Sequence, residues 1–153
     1  MAIQESTAPV VIIDDDDLIR GALEGLPKMP IRENINLVAI VDDDNSIRTA
    51  VQDLLEAVSL PAQGFASAEE FLRSGKQRVT ACLIVDIRMP GMSGLELQEK
   101  LNAEGCGIPI IFITAHGDAK MRAQALRAGA VEFLTKPFDD EILIERVRAA
   151  LES

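Results

Sequence analysis

Four apolar runs of the sequence each close on residues that could do chemistry. Val41 leads into Asp42-Asp43-Asp44, Val85 into Asp86, Ile113 into Thr114-Ala115, and Leu134 into Thr135-Lys136-Pro137-Phe138. If the runs are strands of one sheet, three acids, a hydroxyl and an amine meet on one rim. Neighbouring carboxylates there repel, and something must relieve the repulsion. A hard divalent cation does so, and Mg²⁺ typically takes one or two carboxylates together with waters and phosphate oxygens. Phosphoryl transfer needs this set: a nucleophile, a metal on the equatorial oxygens, and cationic and hydrogen-bonding groups on the remainder. Asp86 is the best nucleophile, because it stands alone at the end of its run. Asp42 and Asp43 then hold the metal, Lys136 neutralises the third side, and the Thr114 hydroxyl donates to a phosphoryl oxygen. Singly, each residue has an ordinary explanation, since strand-end Asp is usually a turn former and Lys-Pro usually a loop. Their arrival together on four runs argues for a site.

The elements that must position them follow from patterning. Five short apolar runs, at 37–41, 61–65, 81–85, 109–114 and 131–134, are mostly rich in β-branched residues and bounded by Gly, Pro or Asp. The second is the poorest, with Gln63 and Gly64 inside it, which places it at a sheet edge. Between the runs lie helical patterns. Ile47, Val51, Leu54, Leu55 and Val58 share one helix face. Ser67 with Glu70 and Ser93 with Glu96 have capping-box spacing. Asp118 caps a fourth helix that runs to Ala128 and stops at Gly129, and a fifth spans 139–151. Strand alternating with helix five times predicts an α/β fold with a doubly wound, five-stranded parallel sheet. The flavodoxin-like order 2-1-3-4-5 leaves the poor second strand at an edge, and ligands of such sheets bind beyond the strands' carboxyl ends.

Composition narrows the classes. The 153 residues are 48% hydrophobic with no Trp or Tyr and five Phe, so the core is aliphatic, as suits a parallel sheet covered on both faces. A net charge of −10 argues against a direct nucleic-acid surface. Cys82 and Cys106 stand in unrelated contexts and read as free thiols of a reducing compartment. No basic-then-apolar leader and no run of membrane-spanning length is present, so a soluble, cytoplasmic protein with no membrane partner is expected. Neither a Gly-x-Ser-x-Gly elbow nor a Gly-rich phosphate loop occurs, which disfavours hydrolase and nucleotide-binding readings.

The segments Val41-Asp42-Asp43, Val85-Asp86-Ile87-Arg88-Met89-Pro90-Gly91-Met92-Ser93-Gly94, Ile113-Thr114-Ala115 and Lys136-Pro137-Phe138 resemble the signature of response-regulator receiver domains of two-component signalling. The resemblance covers roughly residues 36–151, with every signature position present. The stretch Thr114-Ala115-His116-Gly117-Asp118, with Ala128-Gly129-Ala130, looks most like the nitrogen-fixation-type regulators. The resemblance implies that Asp86 accepts phosphate from a sensor histidine kinase. It implies Mg²⁺ on Asp43, Asp86 and the backbone carbonyl of Arg88, with Asp42 acting partly through water. Thr114 and Lys136 would contact the phosphoryl group, and Phe133 would be an aromatic switch turning inward as Thr114 moves. The expected output face is the fourth helix, fifth strand and fifth helix, docking a protein partner or a second copy. The domain is then no enzyme beyond its own phosphorylation and dephosphorylation. The alternative is the receiver half of a transcriptional regulator whose DNA-binding domain is absent from this chain. His116 reads as a solvated loop residue, Met89 and Met92 as packing or partner contacts, and an Arg88 side-chain contact with phosphate or Asp42 stays open.

Residues 1–35 form an extension to the receiver unit, 36–153. Val10-Val11-Ile12-Ile13-Asp14-Asp15-Asp16 parallels Val38-Ala39-Ile40-Val41-Asp42-Asp43-Asp44 at an offset of 28 positions, and Ile19-Arg20 answers Ile47-Arg48. The copy is incomplete: Gly21 and Gly25 weaken its helix, Pro27 ends it, and no second Asp86, Thr114 or Lys136 follows. A docked strand and helix, competition for the first-strand slot, and a mobile acidic arm all fit this pattern.

Overall fold

A computed structural model describes residues 37–115 and 117–152, all within the unit Glu33–Ser153. The N-terminal repeat and His116 lie outside the described residues. The order of elements is β1 (Leu37–Val41), α1 (Asn45–Ala57), β2 (Ala62–Phe65), α2 (Ala68–Ser74), β3 (Thr80–Asp86), α3 (Gly94–Ala103), β4 (Ile110–Thr114), α4 (Ala119–Arg127), β5 (Glu132–Thr135) and α5 (Asp140–Glu152). A short 3₁₀ turn, Lys76–Val79, leads into β3. The five strands pair in parallel in the order β2-β1-β3-β4-β5, so β2 is an edge strand.

Period-two alternation sorts each strand's side chains between two cores. Val38, Ile40, Cys82, Ile84, Ile111 and Ile113 pack against Val51 and Leu55 of α1 and Leu143 and Val147 of α5. Ala39, Val41, Leu83, Val85 and Phe112 face Phe71 of α2, Leu97 and Leu101 of α3 and Ala125 of α4. Each fully buried aliphatic side chain contributes about 2 kcal/mol of transfer free energy, and both faces of the three central strands are filled this way. That is why those strands read as unbroken apolar runs. Burial also pushes the Cys82 thiol up to about 12, so it stays protonated and packs as a small hydrophobe.

The helix starts follow their caps. Asp44 accepts from the N–H groups of Ser46 and Ile47 at the head of α1, and Asp118 accepts from Met121 N–H at the head of α4. Ser93 and Glu96 form the full reciprocal box. Ser67 and Glu70 form half of one: Ser67 Oγ accepts from Glu70 N–H at 3.0 Å, but Glu70 Oε1 accepts from the Ala66 N–H, not from that of Ser67. Among the described residues, no helix is long and apolar enough to cross a membrane.

Candidate phosphoacceptor site

Parallel pairing fixes which residues share the carboxyl-terminal rim. Val41 lies opposite Val85, Asp86 opposite Ile113, and Thr114 opposite Thr135. The residues one step beyond β1 and β5 are Asp42 and Lys136, and the Lys136 N–H donates to the Thr114 carbonyl at 2.8 Å, carrying the β5 ladder past the strand end. Hence Asp42, Asp86, Thr114 and Lys136, read from separate runs, are brought together.

Asp42, Asp86 and Thr114 are buried, while Asp43 is exposed. Lys136 Nζ donates to Asp42 Oδ2 at 3.1 Å and to Asp86 Oδ2 at 3.2 Å, tying the two buried acids together. The remaining oxygens also have donors. Asp42 Oδ1 accepts from Asp44 N–H at 2.9 Å, and Asp86 Oδ1 accepts from Arg88 N–H at 3.3 Å. One carboxylate oxygen from each of Asp42, Asp43 and Asp86 lies within 4.8 Å of the other two. This donor set, all hard anionic oxygen, fits a small divalent cation.

Burial pushes the Asp86 carboxyl above the usual carboxylate range. The charge of Asp42 adds to the rise, and Lys136 and the Arg88 N–H oppose it. Lys136 is pulled down by burial, but its hydrogen bond to Asp42 and the charges of Asp42 and Asp86 outweigh that, and its net shift is upward. An acid whose folded pKa is raised supports folding below its unfolded value and loses that support as pH rises through the folded one. In metal-free protein, Asp86→Asn should therefore be more stable than wild type at neutral pH. The gap should open as pH rises from about 3.8, the ordinary Asp value. Urea unfolding of both proteins across pH checks this, and a gap that closes with rising pH would contradict it.

Phe133 is buried, its ring centroid 6.4 Å from that of Phe112. The ring is already in the interior, whereas the resemblance to receiver domains implies a switch that turns inward. Gly117 leaves the hollow it fills: a Cβ there would stand 2.6 Å from the Phe133 ring and 2.9 Å from Thr114 Cγ2. Arg122 of α4 donates to the Phe133 carbonyl at 3.1 Å and lies 6.0 Å from the ring centroid. Met89 is buried and Met92 half-buried in the α2–α3–α4 core, and the Arg88 side chain is exposed.

Sequence patterning missed two further contacts beside the acids. Arg48 Nη1 donates to the Asp42 carbonyl at 2.7 Å. Its signal was available, since Arg20 occupies the same place in the N-terminal repeat. Glu69 Oε2 accepts from Met92 N–H at 2.9 Å, tying the loop after Asp86 to α2 and holding the Glu69 carboxyl below the usual range. That pair is separated by 23 residues, beyond any local spacing.

A family model for the response regulator receiver domain matches residues 38–148. The chain belongs to that family. Nodulation protein W of Bradyrhizobium diazoefficiens is 48% identical over 100 residues, which are 65% of this chain and 44% of that protein. The transcriptional regulatory protein FixJ of Azorhizobium caulinodans is 43% identical over 143 residues, 94% of this chain and 54% of that protein. The crystal structure of FixJ-N superimposes with a TM-score of 0.69 at 40% identity, covering 76% of this chain and 93% of that one. The receiver chain spans about half the length of the curated relatives it matches. The resemblance to nitrogen-fixation-type regulators and the 2-1-3-4-5 sheet are both borne out.

Proposed function

We propose that this receiver domain takes a phosphoryl group from the phosphohistidine of a sensor histidine kinase onto Asp86. The observation that carries the reading is the Lys136 ammonium held between Asp86 and Asp42 on a rim that also presents Asp43 and Thr114. An Asp86 carboxylate oxygen attacks phosphorus, an acyl–phosphate O–P bond forms, and the P–N bond to the donor imidazole breaks. Arg88 N–H and Lys136 Nζ hold the two Asp86 oxygens and so orient the nucleophile. Lys136 already lies against Asp86 and can pair with the incoming phosphoryl oxygens, and the Thr114 hydroxyl donates to another. Asp42, Asp43, Asp86 and the Arg88 backbone carbonyl would hold Mg²⁺. The ion would neutralise the acids and the phosphoryl oxygens.

Asp86 phosphorylation adds about −1.5 to −2 charge, which draws Thr114 and Lys136 toward it and biases Phe133. The output face is then α4, β5 and α5, docking a downstream protein or a second copy. Leu126, Val131 and Ile142, the exposed large hydrophobics among the described residues, all lie on or beside these elements, at 37%, 43% and 39% exposure. The names and lengths of the relatives favour a second reading of the output, in which this domain serves as the receiver half of a transcriptional regulator. In either case the domain acts in the cytoplasm, where kinase phosphohistidine is made.

Acetyl phosphate with Mg²⁺ should add one hydroxylamine-labile phosphoryl group, resolved by intact mass. Asp86→Asn should abolish the addition and keep the fold. Equal labelling of that variant would place the phosphoacceptor elsewhere.

A further inference from the structure

Arg48 sits in the first turns of α1 and reaches back to the strand that precedes it. Its Nη1 donates to the Asp42 carbonyl oxygen and its Nη2 to Asn45 Oδ1, both at 2.7 Å. A guanidinium is a rigid planar fork, so two short bonds fix direction as well as distance. The carbonyl it holds belongs to the peptide between Asp42 and Asp43. Rotation of that peptide would swing the exposed Asp43 carboxylate relative to the buried pair, Asp42 and Asp86.

A second element guides the same side chain. The Arg48 stem crosses β2 at Gly64, where a Cβ would stand 2.8 Å from Arg48 Cγ and 3.0 Å from Cδ. A strand-interior glycine weakens a strand and often marks a close approach. Here the approaching group is the Arg48 stem, so β2 limits where that stem can lie.

We propose that Arg48 is a positioning residue for the divalent-cation site, holding the Asp42–Asp43 peptide so that the three carboxylates face one point. The inference rests on the reading of those acids as a Mg²⁺ site. Charge and geometry make opposite demands on Mg²⁺ binding. On charge alone, a cation beside the rim repels Mg²⁺, and its removal tightens binding. On geometry, its removal frees the peptide and weakens binding.

The test is calorimetric Mg²⁺ titration of the full chain and its Arg48→Met, Arg48→Lys and Gly64→Ala variants. Metal-free ¹³C shifts of the Asp42 carbonyl and thermal melts would accompany it. Arg48→Met should raise the Mg²⁺ dissociation constant about tenfold, the scale typical of groups that orient metal ligands. Arg48→Lys should recover only part of the affinity, since an ammonium lacks the fork. Gly64→Ala keeps the charge but displaces the stem, and should weaken Mg²⁺ in the same direction. The Asp42 carbonyl shift should move in all three before any metal is added. In phosphorylation by acetyl phosphate, the half-saturating Mg²⁺ concentration should rise far more than the saturated rate falls. Unchanged or tighter Mg²⁺ binding by folded Arg48→Met, with wild type binding normally, overturns the Arg48 proposal alone. Failure of the wild type to bind Mg²⁺ overturns the metal reading and this inference with it.

Discussion

Lys136→Met is expected to lose about 3 kcal/mol of folding stability, near the lower end for breaking a buried ion pair, along with nearly all phosphoacceptor reactivity. The ammonium is the described hydrogen-bond donor shared by Asp42 Oδ2 and Asp86 Oδ2, and both carboxylates are buried. Without it, two neighbouring acids remain on a rim with little water to screen them. The lower end applies because the rim opens to solvent through the exposed Asp43. The cause can be separated from simple loss of packing. In the Asp86→Asn background one acid is already neutral, so Lys136→Met should cost much less there; the difference is the coupling energy of a double-mutant cycle. Lower pH should also rescue the single variant. Removing the cation raises the Asp86 carboxyl further, so protonation, and with it relief, begins at higher pH than in wild type. Urea unfolding of the four proteins gives all these quantities. A loss below about 1 kcal/mol, the range of surface pairs, that ignores Asp86→Asn would show that Lys136 does not relieve the repulsion.

Much of this site was legible because its residues sit at strand ends, where period and composition change together. Asp86 closes a run whose alternate members fill two different cores, so an acid at that position can only be at the edge of the packed interior. Strand boundaries moved by a residue or two where pairing outlasts the apolar pattern. Asp86 itself pairs with Ile113, and β5 begins at Glu132 after an exposed Val131. Gly64 read correctly as an edge-strand weakness, but the reason is the Arg48 stem above it, a fact of tertiary contact. The Ser67–Glu70 spacing fits a reciprocal box, yet spacing cannot say which N–H the carboxylate takes, and Glu70 chose Ala66. Next to it, Glu69 reaches Met92 across the rim. The interior seat of Phe133 was least legible, because Gly117, Arg122 and Phe112 make it from three other segments.

Phe133→Ala should cost about 3 kcal/mol, because the ring is buried and its removal leaves a cavity between β4, β5 and α4. Its effect on chemistry should be small by comparison. No Phe133 atom takes part in the Lys136–Asp86–Asp42 hydrogen bonds, so acetyl phosphate should still label Asp86 in whatever fraction is folded. What should fail is transmission. Thr114 Cγ2 and the Phe133 ring border the same hollow at Gly117, so a Thr114 drawn toward a phosphoryl group changes the space the ring can occupy. Arg122 ties the Phe133 carbonyl to α4, so a displaced ring is felt in the helix as well as in β5. In wild type, phosphorylation should shift backbone resonances of α4, β5 and α5 more than those of α2. In Phe133→Ala, the same phosphorylation should leave the first group no more perturbed than α2. Undiminished shifts across α4, β5 and α5 in that variant would mean the signal leaves the site by another route, through Lys136 and the start of α5.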